Sequence, residues 1–331
     1  MKRIMVVKLG GIGDVILATS AVSELKRIYP GAKITLMIYG NAAPLIEGIG
    51  FIDEVFVYDK KKVGGFSLFR KMLGYDMAVF LDMSYRPALA AALARVPVRV
   101  GLEHKRGFWL TRSLPWQEYM DHTYEPYVFG DILRKALEID FPRKNLERLF
   151  VAAATTEEKN ELNRLLEENN VDTQNEKYLV CSPYTAFHLK DWPLVRWNEL
   201  FTCIYDAYGY RTVIFGATKS DFSWNTAAIC DLSTKLTLRQ VAELIKNAAL
   251  LVNSCSMPEH IAAATQTPCV VLYGYTDAER WAPRLNCLRV TSDLPCSPCD
   301  GYRGSTCSEA KCMMQISVSQ VFEICKKMLG T

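Results

Sequence analysis

Short apolar runs recur along the chain, separated by stretches whose apolar positions follow a helical period. In the first half KRIMVVKLG, KITLMIYG, EVFVYD, DMAVFLDMS and VRVGLE read as strands. GDVILATSAVSELKRIYP, the short AAPLIEGIG and the Ala-rich RPALAAALARV read as helices between them. Near-continuous apolar strands separated by amphipathic helices predict a parallel sheet covered on both faces. After YEPYVFGDILRKALEI the pattern breaks. EKNELNRLLEENNVDTQNEK is dense in charge and predicts a helix that begins after TTEE and ends in a polar turn. The alternation then restarts with strands KYLVCSPY, RTVIFG, ALLVNS and PCVVLYG. Helices RWNELFTCIYDAYG, LRQVAELIKNAA, MPEHIAAATQ and a closing VSQVFEICKKML accompany them.

The break, near residues 150–177, predicts two doubly wound α/β domains, residues 1–154 and 155–316. The closing helix, in 317–331, could pack back on the first of them. Sheets of this kind bind ligands beyond the carboxyl ends of their strands. Two such domains facing across a cleft would line it with the loops Gly10–Asp14, Ser182–Lys190, Gly216–Asp221, Ser254–His260 and Gly274–Asp277.

Composition narrows the class. The length of 331 residues suits two domains, and 50% hydrophobic with 23% charged residues is ordinary for a soluble globular protein. A net charge of +3, with Lys and Arg dispersed, argues against nucleic acid and leaves only a mild attraction to an acidic membrane surface. No run approaches the ~18 apolar residues of a membrane span. MKRIMVV starts like a signal peptide but breaks at Lys8 with no small-residue cleavage site. It is expected to be a first buried strand, and the protein to be cytoplasmic.

The turn KLGGIGD joins the first strand to the first helix. It fails as a dinucleotide fingerprint. Gly11 and Gly13 supply two glycines, but Ile16 takes the third place and Tyr39-Gly40-Asn41 offers no acid for a ribose. It also lacks the Gly-Lys-Ser/Thr of a Walker loop. What remains is a tight turn that carries Asp14. That carboxylate could cap the helix, where the dipole favours an acid, or take a proton from an incoming hydroxyl.

KLGGIGDVILATSAVSELKRIYPGAKITLMI resembles the opening of glycosyltransferase family 9, the heptosyltransferases of lipopolysaccharide assembly. LTLRQVAELIKNAALLVNSCSMPEHIAAATQTPCVVLYGYTDAERWAP is similar to that family's donor-binding region. The resemblance implies a GT-B fold and an inverting transfer of a heptose or similar sugar. The donor would be a nucleotide-diphosphate sugar, and the acceptor an acidic or lipid-linked saccharide such as the lipopolysaccharide core. It implies no catalytic cofactor and transient contact with the inner membrane surface. The family's proposed base is the acid of the Gly-Asp turn, which implies Asp14 as catalyst, with Gly11 and Gly13 beside the acceptor. The basic run EHKRGFWLTR, through Lys105 and Arg106 with Arg112 nearby, could bind acceptor carboxylates or phosphates, or be a solvated charge run.

On the donor side, Lys190-Asp191-Trp192-Pro193 matches the family's Lys-x-Trp-Pro. Lys190 would neutralise a departing diphosphate and Thr185 would add a hydroxyl. Asp221 could accept from a ribose or be a first-turn helix acid. His260 matches the family's His, and the backbone amides of Ser256 and Met257 would hold phosphate at a helix N-terminus. Thr276 and Asp277 keep the family's Thr-Asp turn. Three positions depart from the pattern, one of them Tyr275, where the family usually has Pro. Cys255 stands where an acid is expected and Met257 where Gly is expected, which leaves two rivals: another nucleotide-sugar enzyme of GT-B fold, or a catalytically silent nucleotide-sugar-binding homologue.

All 11 cysteines lie between Cys181 and Cys325, an odd number that argues against a full disulfide framework. Cys296, Cys299, Cys307 and Cys312 are grouped closely enough for a structural Zn or Fe site, two local disulfides or free thiols.

Overall fold

The computed structural model describes residues 2–116, 122–171, 176–299 and 307–330. It separates into two compact units, Met1–Ala152 and Ala153–Thr331.

The first unit runs β1 (Arg3–Val7), α1 (Ile12–Ile28), β2 (Lys33–Ile38), α2 (Ala43–Ile46), β3 (Glu54–Val57) and α3 (Gly65–Met72). It continues β4 (Met77–Phe80), α4 (Tyr85–Leu93), β5 (Val98–Leu102), β6 (Arg112–Leu114) and α5 (Glu125–Leu137). The strands form one sheet in the order β3-β2-β1-β4-β5-β6, and all its pairings are parallel. Burial of both faces explains the unbroken apolar strands: Ile4, Met5, Val6 and Val7 of β1 are all at 0% exposure.

The second unit opens with α6 (Thr156–Glu168), whose N-cap Thr155 and Glu158 bond reciprocally. TTEE is therefore the cap and first turn of this helix rather than its lead-in. Then come β7 (Tyr178–Cys181), α7 (Leu194–Tyr208), β8 (Arg211–Ile214), β9 (Ile229–Asp231), α8 (Leu238–Asn247) and β10 (Leu250–Ser254). The unit closes with α9 (Met257–Thr265), β11 (Cys269–Tyr273), α10 (Ala278–Trp281), β12 (Cys287–Thr291), α11 (Lys311–Gln315) and α12 (Val318–Leu329). Its parallel sheet has the order β12-β11-β10-β7-β8-β9. Helix α12 packs on α7 and across β10, β11 and β12.

The two sheets share one topology. In each, the first strand lies at the centre, the chain winds to one edge, returns beside the first strand and winds to the other edge. The winding reverses between β1 and β4, and again between β7 and β10. Loops diverge at such a reversal and leave a crevice at the strand ends. Among the described residues no helix is long and apolar enough to cross a membrane.

Candidate active site

Each reversal carries a cluster of polar side chains. In the first unit the chain leaves β1 at Lys8 and enters α1 through Gly10 and Gly11. Asp14 folds back over this turn. Its Oδ2 accepts the Gly11 N–H at 3.0 Å, and its Oδ1 lies 3.4 Å from Lys8 Nζ. A Cβ on Gly10 would stand 2.9 Å from Asp14 Cβ and 3.1 Å from its carboxyl carbon. The bare glycine is therefore what lets the acid lie over the turn. Gly13 sits in the first turn of α1. Asp14 is thus a helix cap by geometry, yet its side chain keeps 32% exposure.

Lys8 is the buried partner in this cluster. Its ammonium lies between Asp14 and Glu125, 3.8 Å from the Glu125 carboxylate, and over the Phe129 ring at 4.7 Å. Burial alone would push it down, but Asp14, Glu125 and Asp82 together raise it above the usual lysine value. It therefore remains a fixed cation beside Asp14. From the end of β4, Asp82 accepts the Leu9 N–H at 2.5 Å and the Ser84 N–H at 2.8 Å, which ties the two strand ends together.

The basic run divides. Arg106, expected to meet an acceptor, is at 0% exposure. Its guanidinium donates to the carbonyls of Leu102, Ser84 and Asp82 and pairs with the Asp82 carboxylate at 3.8 Å. Those bonds occupy it in holding the β4 and β5 loops, so its expected acceptor role is corrected to a structural one. Lys105 is exposed, and Arg112 bonds the Ala136 carbonyl at 3.1 Å from the start of β6.

In the second unit the β7 and β10 ends are joined by Asn253. Its Oδ1 accepts the Ser182 N–H at 2.9 Å and its Nδ2 donates to Ser256 Oγ at 2.7 Å. Thr185 closes a tight turn through Oγ1 to the Phe187 carbonyl at 2.8 Å, and its N–H donates to Asp191 at 2.9 Å. The loop ends in a 3-10 turn, His188–Lys190, anchored by buried Trp192, whose indole donates to the Ile316 carbonyl at 3.0 Å. Lys190, half-buried, projects its charge onto Cys255 and Glu259. Ser256 is the N-cap of α9 and Met257 its first residue, with no left-handed backbone at 257. A glycine is therefore not required there.

Glu259 is the residue that sequence reasoning missed. It is at 0% exposure inside α9. It accepts the Tyr273 hydroxyl at 3.0 Å and the Cys255 thiol at 3.4 Å, and lies 3.5 Å from His260 Nε2. Burial pushes its carboxyl up to about 8, against the pull of Tyr273, Cys255 and Lys190. Its carboxyl thus lies one helical turn beyond Cys255 and accepts the thiol of that residue. The signal in the sequence was an acid next to His260, at the head of the apolar run IAAA. Lys8, which interrupts an apolar strand, was a similar signal.

The remaining residues are more dispersed. Asp221 lies exposed in the loop between β8 and β9, where no helix begins, so it is not a first-turn acid. Thr276 and Asp277 are buried after β11, and Asp277 caps α10 through the Glu279 N–H at 2.8 Å. They line a cavity of about 400 Å³ with Tyr273, Arg289 and Ser297.

The late cysteines do not fit a metal as they stand. Cys299 turns its thiol to the Cys296 carbonyl at 3.1 Å. The Cys307 thiol faces the backbone N–H groups of Glu309, Ala310 and Lys311, which pull it below its usual range. Cys312 is buried against Gly274. All 11 are free thiols, and among the described residues no group of three or more His, Cys, Asp or Glu could hold a metal ion. Of the three readings of these cysteines, the described side chains form neither a disulfide nor a cluster of three metal ligands.

The sequence model of glycosyltransferase family 9 (heptosyltransferase) matches residues 66–311. Lipopolysaccharide heptosyltransferase 3 of Escherichia coli is 25% identical over 292 residues, covering 83% of this chain and 84% of that protein. Among solved structures, a glycosyl transferase family 9 protein from Veillonella parvula superposes with a TM-score of 0.83 at 21% identity, over 99% of this chain and 97% of the other. E. coli ADP-heptose lps heptosyltransferase II superposes at 0.76 with 22% identity, over 99% and 98%.

Proposed function

Since the chain belongs to glycosyltransferase family 9 (heptosyltransferase) and is a glycosyltransferase of GT-B fold, we propose that it transfers a heptose from ADP-heptose to a saccharide of the lipopolysaccharide core. The supporting observation is the placement of the candidate residues at both topological reversals. Asp14 stands at the β1/β4 reversal, and Lys190, Ser256 and His260 stand at the β7/β10 reversal. Asp14 takes the proton of the acceptor hydroxyl as that oxygen attacks the anomeric carbon. The bond from that carbon to the donor diphosphate breaks, the configuration inverts, and the nucleoside diphosphate leaves. The ammonium of Lys8 lies 3.4 Å from the Asp14 carboxylate and helps to hold it over the turn. Gly11 and Gly13 form the floor of the acceptor turn, and exposed Lys105 meets an acidic acceptor.

In the second unit Lys190, Thr185 and the amides of Ser256 and Met257 receive the growing charge on the diphosphate. Helix α9 points its N-terminal dipole at the same place. Asp221, Thr276 and Asp277 belong to the nucleotide and sugar side. No step passes through a cofactor. We place the enzyme in the cytoplasm, touching the inner membrane surface where its acceptor lies.

The test of donor chemistry is a panel of nucleotide-sugars scored by thermal shift. ADP-heptose is expected to stabilise the protein most, and a larger shift with another nucleotide-sugar would remove this assignment. Lys190→Ala is expected to weaken ADP binding by about 10- to 100-fold, the scale of one charge-assisted contact to phosphate. Unchanged affinity by calorimetry would take Lys190 out of the donor site.

A further inference from the structure

Under the candidate donor turn lies a titratable cluster that the transfer chemistry does not use. Glu259 has no water access, and the groups around it are unequal partners. Tyr273 from β11, Cys255 from the end of β10 and the backbone N–H of Ser256 approach it as donors. His260 Nε2, at 3.5 Å, is the member of the cluster that can accept a proton from it. Lys190 from the β7 loop adds a positive field, Thr276 bonds Cys255, and Cys269 on β11 feels the Glu259 charge from further off. The mechanism assigns the Lys190 ammonium to the diphosphate.

We propose that Glu259 is a positioning residue that shares one proton with His260 beneath the donor turn, and that this shared proton is required for a nucleoside diphosphate to bind. The inference rests on the donor-site assignment made above. With the proton present, the pair is neutral overall, as acid and imidazole or as carboxylate and imidazolium. His260 is then held by a hydrogen bond, and Lys190 is free to face phosphate. Without the proton, a bare carboxylate lies in a dry site beside an incoming anion. It repels that anion and competes with it for Lys190. The pair titrates as a unit, so the loss of affinity follows the proton of the pair rather than of either residue. Burial raises the Glu259 carboxyl well above the usual carboxylate range, which is the direction a retained proton requires.

The experiment is ADP binding by calorimetry on the full chain between pH 7 and 9.5, where the phosphates of ADP are already ionised. Wild-type affinity is expected to fall about tenfold per pH unit above the transition, as one required proton is lost. Glu259→Gln, which keeps shape and neutrality, is expected to bind ADP with little change across the range. An equal fall in wild type and Glu259→Gln overturns the inference. A second measurement needs no variant. Binding of ADP by wild type at pH 8, compared in buffers of different ionisation heats, is expected to take up a fraction of a proton, and zero uptake overturns the inference. Lys190→Ala separates the two levels. If it binds ADP like wild type, the donor-site assignment fails and the inference with it. If it binds weakly while wild type and Glu259→Gln share one pH slope, only the inference fails.

Discussion

Asp14→Asn is expected to lower the turnover number for transfer by about 10²- to 10⁴-fold, the usual contribution of a positioned general base. The substitution removes the proton acceptor and little else. The amide oxygen can still accept the Gly11 N–H now bonded at 3.0 Å, so the cap of α1 survives. Lys8 loses one carboxylate but keeps Glu125 at 3.8 Å, together with the Phe129 ring. The loss should therefore appear in turnover, with the melting temperature and ADP affinity near wild type. That pattern marks an interaction made only in the transition state. Steady-state kinetics with matched ADP calorimetry checks it, and wild-type turnover would refute the assignment of Asp14.

Glu259→Gln is expected to stabilise the protein as pH rises, with the largest gain at and above pH 8. The sign follows from proton linkage. The carboxyl has an ordinary value of 4.5 and stands near 8 in the folded protein, so the folded state holds its proton more tightly than the unfolded chain does. Its favourable share of stability is complete below 4.5 and is lost between 4.5 and about 8. The loss approaches about 5 kcal/mol, at about 1.4 kcal/mol per pH unit. A neutral amide at the same place has no such dependence, and its oxygen can still accept the Tyr273 hydroxyl. Urea unfolding at pH 5 and pH 8.5 measures the difference. Wild type and variant should differ little at the lower pH and by a few kcal/mol at the higher. Parallel curves would mean that Glu259 does not carry a raised proton affinity. A buried acid of this kind costs stability near neutral pH, which suits a residue retained for binding.

The parts of this fold that could be read from the sequence are those in which burial writes directly on residue type. Strands β1, β2, β4, β7, β10 and β11 are buried on both faces and stand out as apolar runs. Three of the four edge strands escape that rule, β3 being the exception. Arg112–Leu114 and Ile229–Asp231 are three residues each, and Cys287–Thr291 carries Arg289 and exposed Thr291. Helix α3 was missed between two recognised strands. The candidate site divides in the same way. Asp14, Lys190 and His260 lie in local patterns that a chain can display by itself. Glu259 and Lys8 matter because of neighbours brought by the fold, Tyr273 and Cys255 for one, Glu125 and Asp82 for the other. Arg106 was misread for that reason too: a guanidinium that bonds three carbonyls looks, in sequence, like any surface arginine. Asp221 was left between a ribose contact and a first-turn helix acid, and only the second is removed, because the chain stays irregular from β8 to β9.

The central claim is that this chain moves a heptose from ADP-heptose onto a core saccharide with Asp14 as base. The most direct test is to incubate the purified protein with ADP-heptose, with and without a heptose-deficient lipopolysaccharide core, and follow both products by mass spectrometry. The account predicts ADP release that depends on the acceptor, matched by a gain of one heptose on the core, and neither with Asp14→Asn. An acceptor that gains no heptose from wild type, or gains it equally from Asp14→Asn, would contradict it.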